Sequence, residues 1–429
     1  MKVGIRQKVL IEAIEKGAIA AISEVAQTDT SNLSLLIKSV KITADKTFTI
    51  ESGTNLMSVK YSVPVSEENG IVVKEPGCIV VPAKELINWV KVQGNESTIT
   101  ITLQKLATPE IINTLDGIPD SDEESKKFSI KKIGTAKLTS KNVTKTNGKW
   151  ELDCYDPEEI PSVSYSQKSE KNFEIKGEQL IKALGNTLFA ALPSDFQQYL
   201  SGVSIQVYEK NLYFVATDLQ RVALYKIPKE DVASIESDKP LLIPSSLLEQ
   251  CSKIINKDDK LTFAYSDELE KIYITQPNLK IRLVSAEKVA VSKFPSIQNL
   301  LKKEYKPLTE LSRNLFNELL INAAVVNNSC ALFLFNKVDK TLTVKAISEA
   351  NKYKPSVKQS ELSEVSKDAR VIWAVSHLLD GLKVMKEDDL MINIPDNFKS
   401  VKVTGKGNEN FVYFAMAPEN KKYESELAE

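Results

Sequence analysis

Short segments recur three times along this chain of 429 residues, in the same order each time and at similar spacings. Such repetition limits the fold more than any other sequence feature, because every copy must form the same supersecondary unit. The recurring segments are a β-rich segment (48–52, 212–216 and 342–346), a helical segment (5–10, 175–180 and 311–316) and a strand that runs into a helix (80–86, 242–248 and 373–379). The sequence therefore predicts three tandem copies of one domain, each with two helices and many strands.

Apolar residues at helical spacing define two helices in every copy. The predicted helices are 5–22, 82–94, 175–191, 244–257, 312–326 and 376–386. In the first copy, strands are predicted at 35–42, 47–52, 56–65 and 97–103. In the second copy, two β-rich runs within residues 212–225 are separated by a short polar break at Asp218. This pattern predicts an antiparallel hairpin in which the Asp218 carboxylate bonds the backbone of its own turn.

The recurring segments also place the domain boundaries. We predict domains at 1–168, 169–303 and 304–418, followed by a charged, disordered tail at 419–429. The first copy is the longest, and its excess length is assigned to an acidic insertion at about 104–127, predicted to be an exposed excursion. Asn147-Gly148 is a turn signal between two strands of the same copy.

Composition describes an ordinary globular protein of the cytoplasm. Apolar residues make up 42% of the chain and charged residues 26%, and no apolar run is long enough to span a membrane. The N-terminal segment interleaves charged and apolar residues, which is not the pattern of a signal peptide. The four cysteines lie far apart and are read as reduced thiols, mostly buried.

The distribution of charge indicates basic helices. Within the predicted bounds, lysine and arginine exceed aspartate and glutamate by 5 on the six helices, whereas the net charge of the whole chain is −1. An excess of positive charge on the helices suits a protein whose helices face phosphate groups. A solvated helix face explains the same count, so charge alone leaves both interpretations open.

No pattern typical of an active site is present. His377 is the only histidine, and it occupies a position filled by Lys84 and Ser246 in the other copies. The phosphate-loop, dinucleotide-binding, zinc-protease and hydrolase motifs are all missing. We therefore predict no catalytic residue, no metal site and no cofactor, and favour a binding or scaffolding protein over an enzyme.

The hairpin segment Val215–Ala223 resembles the signature of the bacterial sliding clamp family, the β subunit of DNA polymerase III. The resemblance extends over nearly the whole chain and includes residues 199–202, 243–244, 293–296 and 413–416. It implies three DNA-clamp domains and a head-to-tail homodimer. In the ring that results, the sheets lie outside and the helices line a hole around duplex DNA. The implied function is to tether the replicative DNA polymerase, with no enzymatic activity. The alternative is a clamp-fold paralogue that binds partner proteins without encircling DNA.

The resemblance implies two kinds of site. Lysines and arginines on the repeat helices would contact DNA phosphates without reading sequence, although each is also explained as a solvated side chain. These candidates are Lys8, Lys16, Lys84, Lys91, Lys182, Lys253, Arg313 and Lys383.

The second implied site is an apolar cleft that holds short peptides of the polymerase and of the clamp loader. Its candidate wall consists of Leu200, Thr217, Leu219, Arg221, Val222, Pro244, Leu248, Asn328 and Met416. Core packing is the alternative role for Leu200, Val222 and Leu248.

The chain departs from the family pattern at several positions. Leu219-Gln220 replaces the usual Gly-His at the hairpin tip, and Gln197-Gln198 stands where the family often has Arg-Tyr beside DNA. Residues 23–34 contain no lysine or arginine, and eleven residues follow Pro418. These departures predict an altered partner preference and a weaker hold on DNA.

Overall fold

The computed structural model describes residues 1–28, 33–115, 128–142, 147–160, 163–165, 171–193, 199–233, 240–265, 271–325, 330–347 and 356–418. The chain forms two compact units. Unit 1 comprises Met1–Asn172 with Gln250–Val284, and unit 2 comprises Phe173–Glu249 with Ser285–Glu429. The division between the two units falls within the second predicted copy, so it differs in kind from the predicted boundaries of the three domains. Those boundaries remain a prediction.

The first part of the chain is rich in antiparallel strands. Its strands are β1 (Lys2–Arg6), β2 (Ser39–Ala44), β3 (Thr47–Gly53), β4 (Met57–Pro64), β5 (Ile71–Glu75), β6 (Gly77–Pro82), β7 (Thr98–Leu115), β8 (Phe128–Lys141) and β9 (Asn147–Tyr155). Its helices are α1 (Gln7–Gly17), α2 (Glu24–Thr28), α3 (Ser34–Ile37) and α4 (Ala83–Lys91), and Pro157–Glu159 forms a 3₁₀ turn.

The remainder of the chain has the same character. Its strands are β10 (Lys171–Lys176), β11 (Gly202–Tyr208), β12 (Asn211–Thr217), β13 (Arg221–Ile227), β14 (Leu241–Pro244), β15 (Lys260–Tyr265), β16 (Lys271–Gln276), β17 (Leu279–Val284), β18 (Lys306–Ser312), β19 (Cys330–Asn336), β20 (Thr341–Ala346), β21 (Val357–Glu361), β22 (Ala369–Ala374), β23 (Asp389–Ile394), β24 (Ser400–Gly405) and β25 (Phe411–Met416). Its helices are α5 (Gly177–Thr187), α6 (Ser245–Ile254), α7 (Lys288–Lys293), α8 (Ile297–Lys302), α9 (Arg313–Ala324) and α10 (Val375–Val384), with 3₁₀ turns at Leu188–Ala190 and Lys229–Asp231.

The strands of each unit pair into extended sheets. In unit 1 the order is β15-β16-β17-β4-β3-β2-β6-β9-β8-β7-β1-β5. In unit 2 one sheet has the order β14-β11-β12-β13-β25-β24-β23-β18, and a second has the order β21-β20-β19-β22. Strands from distant parts of the sequence become neighbours in this way, as where β13 pairs with β25. The fold is α+β, as predicted.

The helices confirm the repetition. The buried face of α1 is formed by Leu10, Ala13, Ile14 and Gly17. The corresponding faces are Leu180, Ala183, Leu184 and Thr187 in α5, and Phe316, Leu319, Leu320 and Ala323 in α9. All three follow the i, i+3, i+4, i+7 spacing of a helix with one apolar side. All six predicted repeat helices are present; five are shorter at both ends than predicted, and α10 begins one residue earlier and ends two residues earlier than predicted.

Some predicted elements of the first copy are wrong. The strand predicted at 35–42 begins only at Ser39, because the preceding residues form α3, whose Leu35 and Leu36 pack on the buried cluster of Val80, Ile130 and Tyr155. Propensity favoured a strand, but tertiary packing decided the local structure.

The insertion and the Asn147-Gly148 turn also differ from the prediction. Residues 104–115 of the insertion belong to β7, which pairs with β8 up to Leu115. Residues 104–112 are exposed, as predicted, but they lie in a regular strand. Asn147 and Gly148 lie within β9, opposite Lys141 and Ser140, and therefore do not form the turn. The acidic run at 116–124 and the tail at 419–429 lie outside the described residues.

Among the described residues, no helix is both long and apolar enough to cross a membrane.

Candidate functional site

The turn between β12 and β13 is fixed by its own side chains. The Thr217 hydroxyl donates to the carbonyl oxygen of Arg221 at 2.7 Å and accepts from the backbone N–H of Leu219 at 3.0 Å. One Asp218 carboxylate oxygen accepts from the backbone N–H groups of Gln220 and Arg221, at 3.0 and 2.8 Å. These bonds confirm the role predicted for Asp218. Leu219 has φ +72° and is 53% exposed, so the turn presents an apolar side chain to solvent.

Arg221 is held by two carboxylates and an aromatic ring. Its Nε donates to Asp218 at 2.9 Å, and its Nη1 donates to Asp380 at 2.6 Å. The guanidinium carbon lies 5.7 Å from the centroid of the Phe189 ring. Burial would raise the pKa of Asp380, but hydrogen bonds from Lys383 and Arg221 outweigh burial and lower it. Arg221 therefore ties the hairpin to α10, and its charge is already paired.

A partly exposed apolar surface lies beside this turn. Val222 of β13 is directly opposite Phe414 of β25, and the backbone N–H of Met416 donates to the carbonyl oxygen of Gln220 at 2.8 Å. Because side chains alternate along a strand, Val222, Phe414 and Met416 share one face of the sheet. Phe414 is buried, whereas Val222 and Met416 are only partly buried against the same core cluster. We call Leu219, Val222 and Met416 the 219–416 patch.

Other candidates of the predicted cleft lie at the same end of the sheet but are less accessible. Pro244 pairs with Gly202, the first residue of β11. Because β11 is antiparallel to β12, its first residues lie near Thr217 at the end of β12. Pro244 is half-buried. Leu200, Thr217 and Leu248 are at most 2% exposed, so they support the surface from below and do not form it.

The ninth candidate of the cleft, Asn328, lies outside the described residues.

The structure adds residues that sequence reasoning missed. Phe414 supports the 219–416 patch, and its ring lies 5.3 Å from that of Tyr305. The Tyr305 hydroxyl is 2.9 Å from that of Ser400, to which Lys303 Nζ also donates at 3.2 Å. The alternation of Val412, Phe414 and Met416 along one strand would have revealed Phe414, whereas the contacts of Tyr305 depend on tertiary pairing.

Two of the candidate DNA contacts are ion-paired with a carboxylate four residues earlier in their own helix. Lys16 Nζ lies 2.7 Å from Glu12 in α1. Lys182 Nζ lies 2.7 Å from Glu178 in α5. Such pairs at i, i+4 are typical of solvated helix faces.

Two further candidates are also paired. Lys383 Nζ lies 2.7 Å from Asp380, one turn earlier in α10. Lys91 Nζ of α4 lies 3.2 Å from Glu15 Oε1 of α1, and this ion pair joins the two helices. At least four of the eight candidate cations therefore have a carboxylate partner within the described residues.

The remaining candidates differ in their surroundings. Arg313 is half-buried, and its Nε donates to the carbonyl oxygen of Glu387 at 3.2 Å. Lys8, Lys84 and Lys253 are exposed on α1, α4 and α6.

The observed helix ends change the charge count. Within α1, α4, α5, α6, α9 and α10 there are eight lysines and arginines and seven carboxylates, a net charge of +1. The predicted excess of 5 depended on Arg6, Lys176, Lys257 and Lys386, which lie just outside these helices. The excess of positive charge over the helices therefore depends on where the helices end, and it is smaller within the observed bounds than within the predicted ones.

His377 is a half-buried residue of α10. Burial, together with the nearby charge of Arg221, lowers its pKa. Its carbonyl oxygen accepts from the Tyr413 hydroxyl at 2.7 Å, so the residue contributes to packing. The described residues contain no group of three or more side chains arranged to hold a metal ion.

Comparison with known proteins gives a consistent result. The family model described as "DNA polymerase III beta subunit, central domain" matches residues 174–288. A protein of Staphylococcus aureus named "Beta sliding clamp" is 20% identical over 386 residues, which is 87% of this chain and 89% of that protein.

Solved structures of similar fold cover the chain almost completely. A sliding clamp of Pseudomonas aeruginosa bound to griselimycin matches with a TM-score of 0.77 and 17% identity, over 98% of this chain and 100% of that chain. A sliding clamp of Bacillus subtilis matches with a TM-score of 0.75 and 16% identity, over 98% of this chain and 99% of that chain. Structural likeness at these identities establishes the fold.

Proposed function

Because this chain is a divergent member of the bacterial DNA polymerase III beta subunit family, we propose that it is a DNA sliding clamp. In this role it is not an enzyme. Two copies form a closed ring around duplex DNA and tether the replicative DNA polymerase. Processivity follows from topology, because a threaded duplex leaves a closed ring only when the ring opens.

The observation that carries this proposal is the length over which the fold agrees. The likeness to the Pseudomonas aeruginosa clamp spans 98% of this chain and 100% of that chain. The repeated helix faces support an origin from three copies of one domain. We propose that these domains are 1–168, 169–303 and 304–418, and that the protein acts in the cytoplasm.

Retention on DNA of different topology tests the ring directly. We expect a dimer by light scattering at micromolar concentration, with slow loss from a nicked circular plasmid and fast loss from the same plasmid made linear. Equal loss from both forms contradicts the sliding-clamp proposal. A strict monomer contradicts the dimeric ring.

We propose that the 219–416 patch binds short peptides of the polymerase and of the clamp loader. Its apolar side chains are exposed or partly exposed, and the turn beside it is fixed by hydrogen bonds, so little ordering is needed on binding. The related clamp bound to griselimycin supplies a probe. Calorimetric titration with griselimycin should show binding to the wild type and at least tenfold weaker binding to a variant with Leu219→Ala and Met416→Ala.

A matched variant separates the patch from apolar surface in general. Val338 is 85% exposed in the turn after β19, which belongs to a different sheet from β13 and β25, and Val338→Ala should leave the griselimycin affinity unchanged. Unchanged affinity in the double variant, with its fold retained by circular dichroism, contradicts the assignment of the patch.

One observation favours the alternative, a clamp-fold scaffold that binds partners without encircling DNA. The six repeat helices carry a net charge of only +1, and several of their lysines are paired with carboxylates. A dimer that binds griselimycin but leaves circular and linear DNA at the same rate supports this alternative.

A further inference from the structure

We propose that Glu12, Glu15 and Glu178 cancel the charge of the lysines that face DNA, so that the clamp holds its duplex by enclosure with little ionic attraction. This inference rests on the proposed function, because it assumes that the repeat helices line the hole through which the DNA passes. It assigns a role to three carboxylates on these helices.

Glu12 is placed by a contact from outside its own helix. Its Oε1 accepts from Lys16 Nζ at 2.7 Å and from the Tyr61 hydroxyl of β4 at 3.2 Å. Lys16 Nζ also lies 5.0 Å from the centroid of the Tyr61 ring. The hydrogen bond from Lys16 is the largest cause of the lowered pKa of Glu12, so this carboxylate is charged at neutral pH. Glu12 and Lys16 therefore form a positioned pair with no net charge.

The other two carboxylates are open to solvent together with their partners. Glu15 and Lys91 have side chains 51% and 52% exposed, and they are 3.2 Å apart. Glu178 and Lys182 are each 55% exposed and 2.7 Å apart. A phosphate that approaches either lysine also approaches the carboxylate beside it.

Exposed ion pairs of this kind contribute little to the stability of the fold, so stability is a weak reason for their presence. Their effect on DNA binding is larger. A lysine that leaves a carboxylate for a phosphate displaces a counterion from DNA, but the abandoned carboxylate attracts a counterion in its place. The net release of counterions is then small, and so is the dependence of affinity on salt.

The test compares the wild type with two triple variants of equal charge change. The helix variant carries Glu12→Gln, Glu15→Gln and Glu178→Gln. The control variant carries Glu51→Gln, Asp153→Asn and Glu310→Gln, whose carboxylates also pair with lysines but lie in β3, β9 and β18. Affinity for a fluorescent 40-base-pair duplex is measured by anisotropy between about 50 and 200 mM NaCl, a range over which ionic binding changes strongly.

We expect the helix variant to bind roughly tenfold or more tightly at the lowest salt, with a slope of log K against log salt steeper by up to about 0.9 for each additional phosphate that the lysines neutralise. The control variant should stay close to the wild type. Equal increases in affinity in both variants, or no increase in the helix variant, overturn the inference. A different measurement tests the proposed function itself: if that function is wrong, the wild type leaves circular and linear DNA at the same rate.

Discussion

At the scale of single residues, Leu219 combines backbone strain with exposure of an apolar side chain. Its φ of +72° lies in the left-handed region, which costs a residue with a side chain about 1–2 kcal/mol. Leu219→Gly relieves this strain, and we expect the free energy of unfolding to rise by about 0.5–1 kcal/mol. Affinity for griselimycin should fall, because the variant lacks the exposed apolar side chain. Urea unfolding and calorimetric titration measure the two effects.

A second turn provides the control for Leu219. Lys210, between β11 and β12, has φ +65°. Lys210→Gly should relieve similar strain and leave griselimycin binding unchanged. If Leu219→Gly stabilises the fold but binds griselimycin as tightly as the wild type, the strained leucine has no role in that site.

Asp380 gives a prediction about pH. Its folded-state pKa lies below its ordinary value, so its contribution to stability is complete above about pH 4 and disappears as the pH falls through the lowered pKa. We expect Asp380→Asn to lower the free energy of unfolding by about 1–2 kcal/mol at pH 7, because half-buried Arg221 loses a partner. The difference from the wild type should shrink below about pH 4.

Asp396 is the matched control for this experiment, since it pairs with Lys306 at the open surface. Asp396→Asn should change the unfolding midpoint little at any pH. Thermal unfolding at a series of pH values compares the three proteins. A constant difference between the wild type and Asp380→Asn from pH 7 to pH 3 contradicts the proposed linkage.

At the scale of elements, two glycines within repeat helices should respond to alanine in opposite directions. A Cβ added at Gly381 of α10 would lie 2.6 Å from the ring of Tyr413, which is 1% exposed. Gly381→Ala should therefore destabilise the protein by roughly 1–3 kcal/mol through overpacking. A Cβ at Gly185 of α5 meets nothing within 4 Å, so Gly185→Ala should stabilise by about 0.5–1 kcal/mol through helix propensity.

Urea unfolding of both glycine variants measures the two changes. Helix propensity alone predicts the same sign for both substitutions. Stabilisation by Gly381→Ala would show that Tyr413 and α10 can separate without cost, contrary to the close packing described above.

The same elements show why the sequence predicted the helices better than the first copy's strands. A helix face repeats over three or four turns, so Leu10, Leu180 and Phe316 identify three helices at once. A short apolar run such as 35–37 fits either a helix or a strand, and packing on Val80 decides which of the two forms. The sequence also contains no signal for the pairing of β13 with β25, which depends on chain segments far apart.

The candidate site was predictable where a single hairpin determines it. The bonds of Asp218 follow from turn chemistry, and the exposure of Leu219 follows from its place at the tip. The sequence left the burial of Leu248 open as one of two alternatives, and it gave no indication that Lys91 pairs with Glu15. Both depend on which helix faces meet, and spacing along the sequence does not specify that.

At the scale of the whole molecule, enclosure and attraction are two distinct ways to stay on DNA. Attraction weakens steeply with salt, because it depends on the release of counterions. Enclosure depends on the stability of the closed ring. Helices with a net charge of +1 favour enclosure as the main cause of retention. A clamp that works as proposed would slide with little ionic resistance and would depend strongly on its dimer interface.

This balance predicts how the assembled ring responds to salt and to cutting of the DNA. On a nicked circular plasmid, we expect the half-life of retention to change less than about threefold between 50 and 500 mM NaCl. Six ionic phosphate contacts would instead reduce affinity by about 10³ over a narrower range. Cutting the circle once with a restriction enzyme should release the protein within minutes at every salt concentration. Gel filtration of the protein–plasmid mixture before and after cutting measures both effects, with an uncut plasmid as the control.

Steep loss from the uncut circle as salt rises, or retention that survives cutting, would show that attraction and not enclosure holds the protein on DNA.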